Sequence, residues 1–250
     1  MRKYGLIGYP LGHSFSAKYF ADKFTREGIN DCIYTNYPLE CLDEFREMIA
    51  GDSELCGLNV TIPYKTEIIR YIDLTERIID EISAVNVLKI NRSKGKQVIS
   101  GFNSDITGIE ASLKPYLTGD LRKALILGTG GSSKAVAFVL KHAGIEFLYV
   151  SRKRKKGCIT YADLSSGLLR DTFLIINTTP VGMFPHSESL PVIDYSRLNE
   201  KHILFDLVYN PEITSFLKKG QERGCRIVTG LQMLYAQADR SWEIWNDPGL

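Results

Sequence analysis

Lys65 is the residue in this chain whose position is hardest to explain by folding alone. It follows a strand-like run over residues 56–61 and then Pro63, which suits the first position of a helix expected over residues 64–72. A cation in a helical first turn opposes the macrodipole and costs roughly 0.3–1 kcal/mol. A surface lysine can tolerate that penalty. Alternatively Asn59, Thr61 and Lys65, at a strand end and the adjoining helix start, converge on a ligand oxygen. A second polar group lies earlier, in the turn over residues 8–16, which holds two glycines, a proline and two serines. Ser16 can cap a helix over residues 17–27, but a cap needs one side chain, so Ser14 points to a pocket lined by both hydroxyls. His13, beside them, reads as a turn residue.

Two more residues carry the same kind of signal. Asn86 stands inside a strand expected over residues 84–90, and Asn is depleted in strands, so it calls for a specific partner. Asp105 opens a helix running toward Leu113, where dipole stabilisation and a functional carboxylate are equally good explanations.

The elements that position these groups are organised around residues 121–156. An apolar run over 123–127 stops at Gly128-Thr129-Gly130-Gly131, a helix follows from Ser132 to His142, and a second apolar strand over 147–150 leads into Ser151-Arg152-Lys153-Arg154. This is a βαβ unit whose glycines let backbone approach a pyrophosphate at a helix N-terminus. The fit to G-x-G-x-x-G is imperfect, since Ser133 takes the third glycine place. At the end of the second strand, where Asp or Glu binds an adenosine ribose in NAD proteins, stands Ser151 followed by two arginines. A guanidinium pairs with a 2′-phosphate that a carboxylate would repel, so the loop predicts NADP. A solvated basic loop needing no ligand is the alternative.

Composition narrows the class. At 250 residues, with 44% apolar and 24% charged residues, the chain can bury a core as one large domain or two small ones. A net charge of +2 gives no field that calls for nucleic acid, and no apolar run is long enough for a membrane span. The five cysteines are scattered without a C-x-x-C pair and predict buried reduced thiols, with neither a disulfide frame nor a metal site. The glycines and proline among residues 5–12 exclude a signal peptide, and a cytoplasmic location is expected. Alternating apolar segments predict α/β structure throughout: strands over 3–7, 32–37, 97–102, 173–177, 203–208 and 225–228, and helices over 212–223 and 231–245. The last has an apolar face at 231, 234, 235, 238, 242 and 245, with Gln237 just off it.

Taken together, these residues resemble the shikimate/quinate dehydrogenase family. The likeness runs through the Ser14/Ser16 turn, Asn59-Val60-Thr61-Ile62-Pro63-x-Lys65, Ala84-Val85-Asn86, Asn103-x-Asp105 and the glycine turn. It continues through Thr179-Pro180-x-Gly182-Met183, Asp206-Leu207-Val208-Tyr209-Asn210-Pro211 and Gly230-x-x-Met233-Leu234, in the family's order. The resemblance implies a substrate domain of residues 1–103 and 231–250 and a Rossmann-type NADP domain of residues 104–230, with the C-terminal helix returning to the substrate domain. It implies a catalytic Lys65–Asp105 pair, and Ser14, Ser16, Asn59, Thr61, Asn86, Tyr209 and Gln237 around shikimate. Gly128, Gly130, Gly131, Ser132, Ser151, Arg152, Lys153, Arg154, Thr178, Met183, Val208 and Gly230 are the implied cofactor contacts. The implied reaction is reversible NADPH-dependent reduction of 3-dehydroshikimate, by a monomer or homodimer. Tyr64, Ile106 and Lys153 depart from residues common in the family (His, Gly and Thr). A folate dehydrogenase with a catalytic lysine, a catalytically silent sensor and an NAD-linked quinate enzyme are the competing readings. They are disfavoured respectively by the small polar pocket, the intact Lys65 and Asp105, and the basic loop.

Overall fold

The computed structural model describes residues 1–11, 15–93, 95–117 and 122–249. The chain divides into two compact units, Met1–Ser104 with Ala238–Leu250, and Asp105–Gln237.

The first unit is built on a six-stranded mixed sheet of β1 (Arg2–Gly8), β2 (Cys32–Pro38), β3 (Leu55–Val60), β4 (Leu74–Thr75), β5 (Val87–Ser93) and β6 (Lys96–Phe102). The order is β2-β1-β3-β5-β6-β4, with β1 parallel to both neighbours and β5 antiparallel to β3 and β6. The register Asn59↔Val87↔Phe102 brings the end of β3, the start of β5 and the end of β6 to one edge of the sheet. Thr61 extends the line past β3, its N–H bonded to the carbonyl of Ile7 at 2.9 Å. The segments that carry Thr61, Asn86 and Asn103 therefore leave the sheet at the same end. Helices α1 (Phe15–Arg26), α2 (Phe45–Gly51) and α3 (Arg77–Ile82) pack around it. Ile7, Phe45, Leu55, Leu58, Ile68 and Leu88 are among the fully buried side chains of one face. Each contributes roughly 1.5–3 kcal/mol by leaving water.

The second unit holds β7 (Lys123–Leu127), β8 (Glu146–Ser151), β9 (Cys158–Thr160), β10 (Leu174–Asn177), β11 (Ile203–Asp206) and β12 (Arg226–Val228), with helices α4 (Asp105–Leu113), α5 (Gly131–His142), α6 (Ser166–Asp171) and α7 (Ser215–Gln221). All described pairings are parallel, in the order β12-β11-β10-β7-β8-β9. That order needs strands covered on both faces, and the run Ala124–Leu127, with Leu174–Ile176 and Ile203–Phe205, is at most 1% exposed. Thr214 caps α7, its side chain accepting from Leu217 N–H, so this helix is shorter than the 212–223 expected.

Helix α8 (Gly230–Asn246) is shared between the units: residues 230–237 belong to the second and residues 238–246 to the first. Its two halves pack on different partners. A Cβ at Gly108 of α4 would lie 2.6 Å from the carbonyl of Met233, so the glycine permits the close approach. Farther along, Trp245 stacks on Tyr4 at 4.7 Å and donates its indole N–H to the carbonyl of Leu88. Lys23, 7% exposed in α1, pairs with Asp239 at 2.8 Å and Glu27 at 2.9 Å, and Tyr19 donates to the same Asp239 carboxylate. The buried positions are 230, 233, 234, 238, 241, 244 and 245, whereas Tyr235, placed by periodicity on the apolar face, is 39% exposed. Because α8 changes partner midway, its buried face is not one straight stripe. The five cysteines are free, but only Cys32 and Cys225 are buried; Cys41 is exposed and Cys56 and Cys158 are half-buried.

Candidate active site

In the second unit, Gly128 ends β7 at φ +116°, and a Cβ there would meet the Thr178 hydroxyl at 2.6 Å, so only glycine fits. Thr178 is fixed in turn by its N–H and hydroxyl, both donated to the carbonyl of Leu127. Gly130 stands in extended conformation immediately before α5, and Gly131 begins the helix. Ser133, in the third glycine place, is fully buried and donates its hydroxyl to the carbonyl of Gly130, which explains why a small polar residue suffices there. The Ser132 hydroxyl donates to Asp105 Oδ2 at 3.4 Å. Asp105 is the first residue of α4 and is 3% exposed, so the carboxylate and the glycine turn are neighbours within one unit.

The basic loop follows β8. Ser151 is buried and accepts from Lys153 N–H, while residues 152–157 are exposed. Arg154 pairs loosely with Asp163 at 3.7 Å. Lys155, which the motif reading missed, donates to Thr129 Oγ1 at 3.2 Å and ties the basic loop to the glycine turn. Only its place in a charge run could have signalled this. Val208 and Gly230 also meet: a Cβ at Gly230 would lie 2.8 Å from the carbonyl of Val208. Met183 is exposed, and Tyr209 is half-buried with its phenol pushed up by burial.

Behind these loops lies a buried carboxylate that sequence reasoning noted only as part of a motif. Asp206 is fully buried; Oδ1 accepts from Asn177 Nδ2 at 2.9 Å and Val208 N–H at 3.0 Å, and Oδ2 accepts from the Thr214 hydroxyl at 2.6 Å. Burial pushes its carboxyl up to about 7, against the opposing effect of these donors.

In the first unit, Lys65 does not stand in a helical first turn. Residues 62–66 form a turn, and the expected helix is a short 3-10 segment, Glu67–Tyr71. The Lys65 carbonyl accepts from Val85 N–H at 2.7 Å, a tertiary bond in place of a bond along a helix. The macrodipole penalty therefore does not apply to this half-buried lysine. Helix α1 begins at Phe15, earlier than expected, which puts Ser16 inside its first turn rather than at the cap; Ser14 lies outside the described residues. Asn86 stands just before β5 rather than within it, and its partner is Ser104. Asn86 Nδ2 donates to Ser104 Oγ at 3.1 Å, and Ser104 N–H donates to Asn86 Oδ1 at 2.7 Å. Asn59 joins the same buried network, accepting from the Tyr34 hydroxyl and donating to Ser241 Oγ, which lies 3.2 Å from Ser104 Oγ. Gln237, half-buried on α8, donates to the carbonyl of Leu234.

The strand order, a glycine turn after the first strand of the second sheet and a basic loop after the next define a Rossmann-type α/β protein with a second α/β unit. Residues 6–88 match the family described as shikimate dehydrogenase substrate binding domain. The shikimate dehydrogenase (NADP(+)) of Halothermothrix orenii is 36% identical, with 96% of this chain and 89% of that one aligned. Among solved structures, a chorismate mutase/shikimate 5-dehydrogenase fusion protein from Clostridium acetobutylicum superposes with TM-score 0.85 at 34% identity, covering 98% of this chain and 91% of that one. Shikimate 5-dehydrogenase from Thermus thermophilus, solved in complex with NADP(H) and shikimate, gives TM-score 0.84 at 26% identity over 100% and 94%. The chain belongs to the shikimate dehydrogenase family.

Proposed function

We propose that this protein is an NADP-dependent shikimate dehydrogenase that reduces 3-dehydroshikimate to shikimate reversibly, in the cytoplasm, as a monomer or homodimer. The observation that carries the reading is the kinship over 96% of the chain, joined to a basic loop after β8 where a carboxylate would select NAD. No described helix is long and apolar enough to cross a membrane.

The second unit suits the cofactor. Gly128 removes the Cβ that would block the turn, the N-terminus of α5 offers backbone N–H groups to a pyrophosphate, and Arg152, Lys153 and Arg154 are exposed for a 2′-phosphate. NADPH supplies the hydride when bound. The chain's own residues supply position and a proton. Lys65 ammonium donates to, or stabilises, the ketone oxygen as it gains alkoxide character, and Asp105 orients the lysine and a neighbouring substrate hydroxyl. Ser14, Ser16, Asn59, Thr61, Asn86, Tyr209 and Gln237 hold the ring hydroxyls and carboxylate. The substrate part is assigned to residues 1–103 and 231–250 and the NADP part to residues 104–230, boundaries that differ from the compact units at Ser104 and at residues 231–237.

The test is a cofactor-reduction assay with shikimate and with quinate, each with NADP and with NAD. Turnover of shikimate with NADP far above the other three pairs is expected. Turnover only with NAD, or only with quinate, would overturn the assignment.

A further inference from the structure

The loops after β10 and β11 are organised from below by one carboxylate. Asn177, the last residue of β10, donates to the carbonyl of Val181 and accepts from both the N–H and the hydroxyl of Thr179, which fixes the path of residues 178–183. The same amide donates to Asp206, the last residue of β11, which also receives Val208 N–H and the Thr214 hydroxyl. The two loops touch beyond this point. Gly182, at φ +90°, packs over Thr214, and Phe184 N–H donates to the carbonyl of Asn210.

In a doubly wound sheet the ligand lies outside the carboxyl ends of the strands, divided between two mononucleotide halves. Here β7, β8 and the basic loop form the half that suits the adenosine phosphate, which leaves β10 and β11 with the nicotinamide nucleotide. Asn177, Asp206 and Thr214 are all fully buried and cannot reach a ligand themselves. We propose that Asp206 is a positioning residue for the nicotinamide half of the cofactor, its carboxyl group clamping the 178–183 and 207–214 loops into one surface. This role rests on the function proposed above, and it assigns work to a residue that touches neither substrate nor cofactor.

Asp206→Leu keeps the size and removes the acceptor, whereas Asp206→Asn keeps an acceptor toward Val208 and Asn177 and can donate to Thr214. Steady-state kinetics and a direct calorimetric titration with NADP distinguish them. Asp206→Leu is expected to lower kcat/KM for NADP by roughly 10- to 100-fold, the loss that a misplacement of about 1 Å produces, with the KM for shikimate within about twofold of the parent. Asp206→Asn should recover to within about fivefold of the parent. Thr214→Val, a milder lesion, should show a smaller loss with the same cofactor-specific split, and it carries the test if Asp206→Leu does not fold. A parallel rise in the shikimate KM, or parent-like NADP parameters in a folded Asp206→Leu or Thr214→Val protein, would overturn the role. Failure of the parent itself to bind NADP would instead defeat the dehydrogenase assignment.

Discussion

Asp206 also sets a measurable pH dependence of stability. Its carboxyl rises from an ordinary 3.8 to about 7 because full burial outweighs the three donors around it. The native state thus binds this proton more tightly than the unfolded chain does. The associated stability is fully present below about pH 4 and is lost as pH climbs through about 7. A shift of roughly 3 units at ~1.4 kcal/mol per unit gives about 4 kcal/mol over the whole window. Between about pH 5 and pH 8 the share lost is roughly 2.5 kcal/mol.

The perturbation is Asp206→Asn, which cannot titrate. Any constant change in its hydrogen bonds cancels when the parent-minus-variant difference is followed against pH. Thermal unfolding of both proteins at several values between about pH 5 and pH 8 should show the variant gaining on the parent by roughly 2.5 kcal/mol, or about 5–10 °C in Tm for a chain of this size. A difference that stays flat across this window would mean the native carboxyl titrates well below pH 5, either near its ordinary value or lower still because the donors from Asn177, Val208 and Thr214 outweigh burial and hold the ion. That result refutes the reasoning.

Replacing Arg152 and Arg154 together by Ala should raise the KM for NADP by at least roughly tenfold, since charge-assisted bonds to a phosphate are worth about 1.5–3 kcal/mol each, while NAD use is spared; equal loss with both cofactors would make the loop structural. Lys65→Ala should lower kcat by roughly 10²–10⁴-fold, the range for a positioned acid–base group, and turnover within a few fold of the parent would remove Lys65 from the chemistry. Its Tm should change little, because the Lys65 carbonyl that accepts from Val85 N–H is backbone and survives the substitution. Gln237→Ala should cost about 1–3 kcal/mol in shikimate binding or turnover with little change in the KM for NADP. A hydrogen-exchange map in which shikimate protects the Lys65 segment but not residues 231–245 would take Gln237 out of the site.

Much of the architecture was legible because long apolar runs and glycine punctuation are local signals. The strands of the parallel sheet show near-continuous apolar residues, so β7, β10 and β11 lie within a residue or two of their expected starts, although β11 ends at Asp206, short of Val208. Several short elements were not legible, although the three-residue strand Arg226–Val228 was expected over 225–228. The strand Cys158–Thr160, the helices Arg77–Ile82 and Ser166–Asp171 and the two-residue strand Leu74–Thr75 are too brief to display a period. The helix expected over residues 64–72 failed for another reason. Its sequence suits a helix, but Val85 N–H takes the Lys65 carbonyl, a partner 20 positions away that no window on the sequence contains.

The candidate site shows the same division between type and role. Asn86 was legible as a residue out of place in a strand and Asn59 as a polar strand end close to Lys65, yet neither signal separates a ligand contact from a structural one. Both amides belong to a network running from Tyr34 through Asn59, Ser241 and Ser104 to Asn86, assembled from β2, β3, α8 and the segments flanking β5 and β6. For Asn59 this limits the chemistry. Nδ2 donates to Ser241 and to the carbonyl of Asn86, and Oδ1 accepts from Tyr34. With both amide protons committed, a substrate hydroxyl meeting Asn59 must donate to Oδ1, so that side chain reads a ring position as a donor. An oxygen without a proton, such as the ketone of 3-dehydroshikimate, cannot use it. In the proposed reaction the ketone oxygen therefore requires a donor other than Asn59, and Lys65, six residues farther along the same chain segment, carries the charge suited to that task.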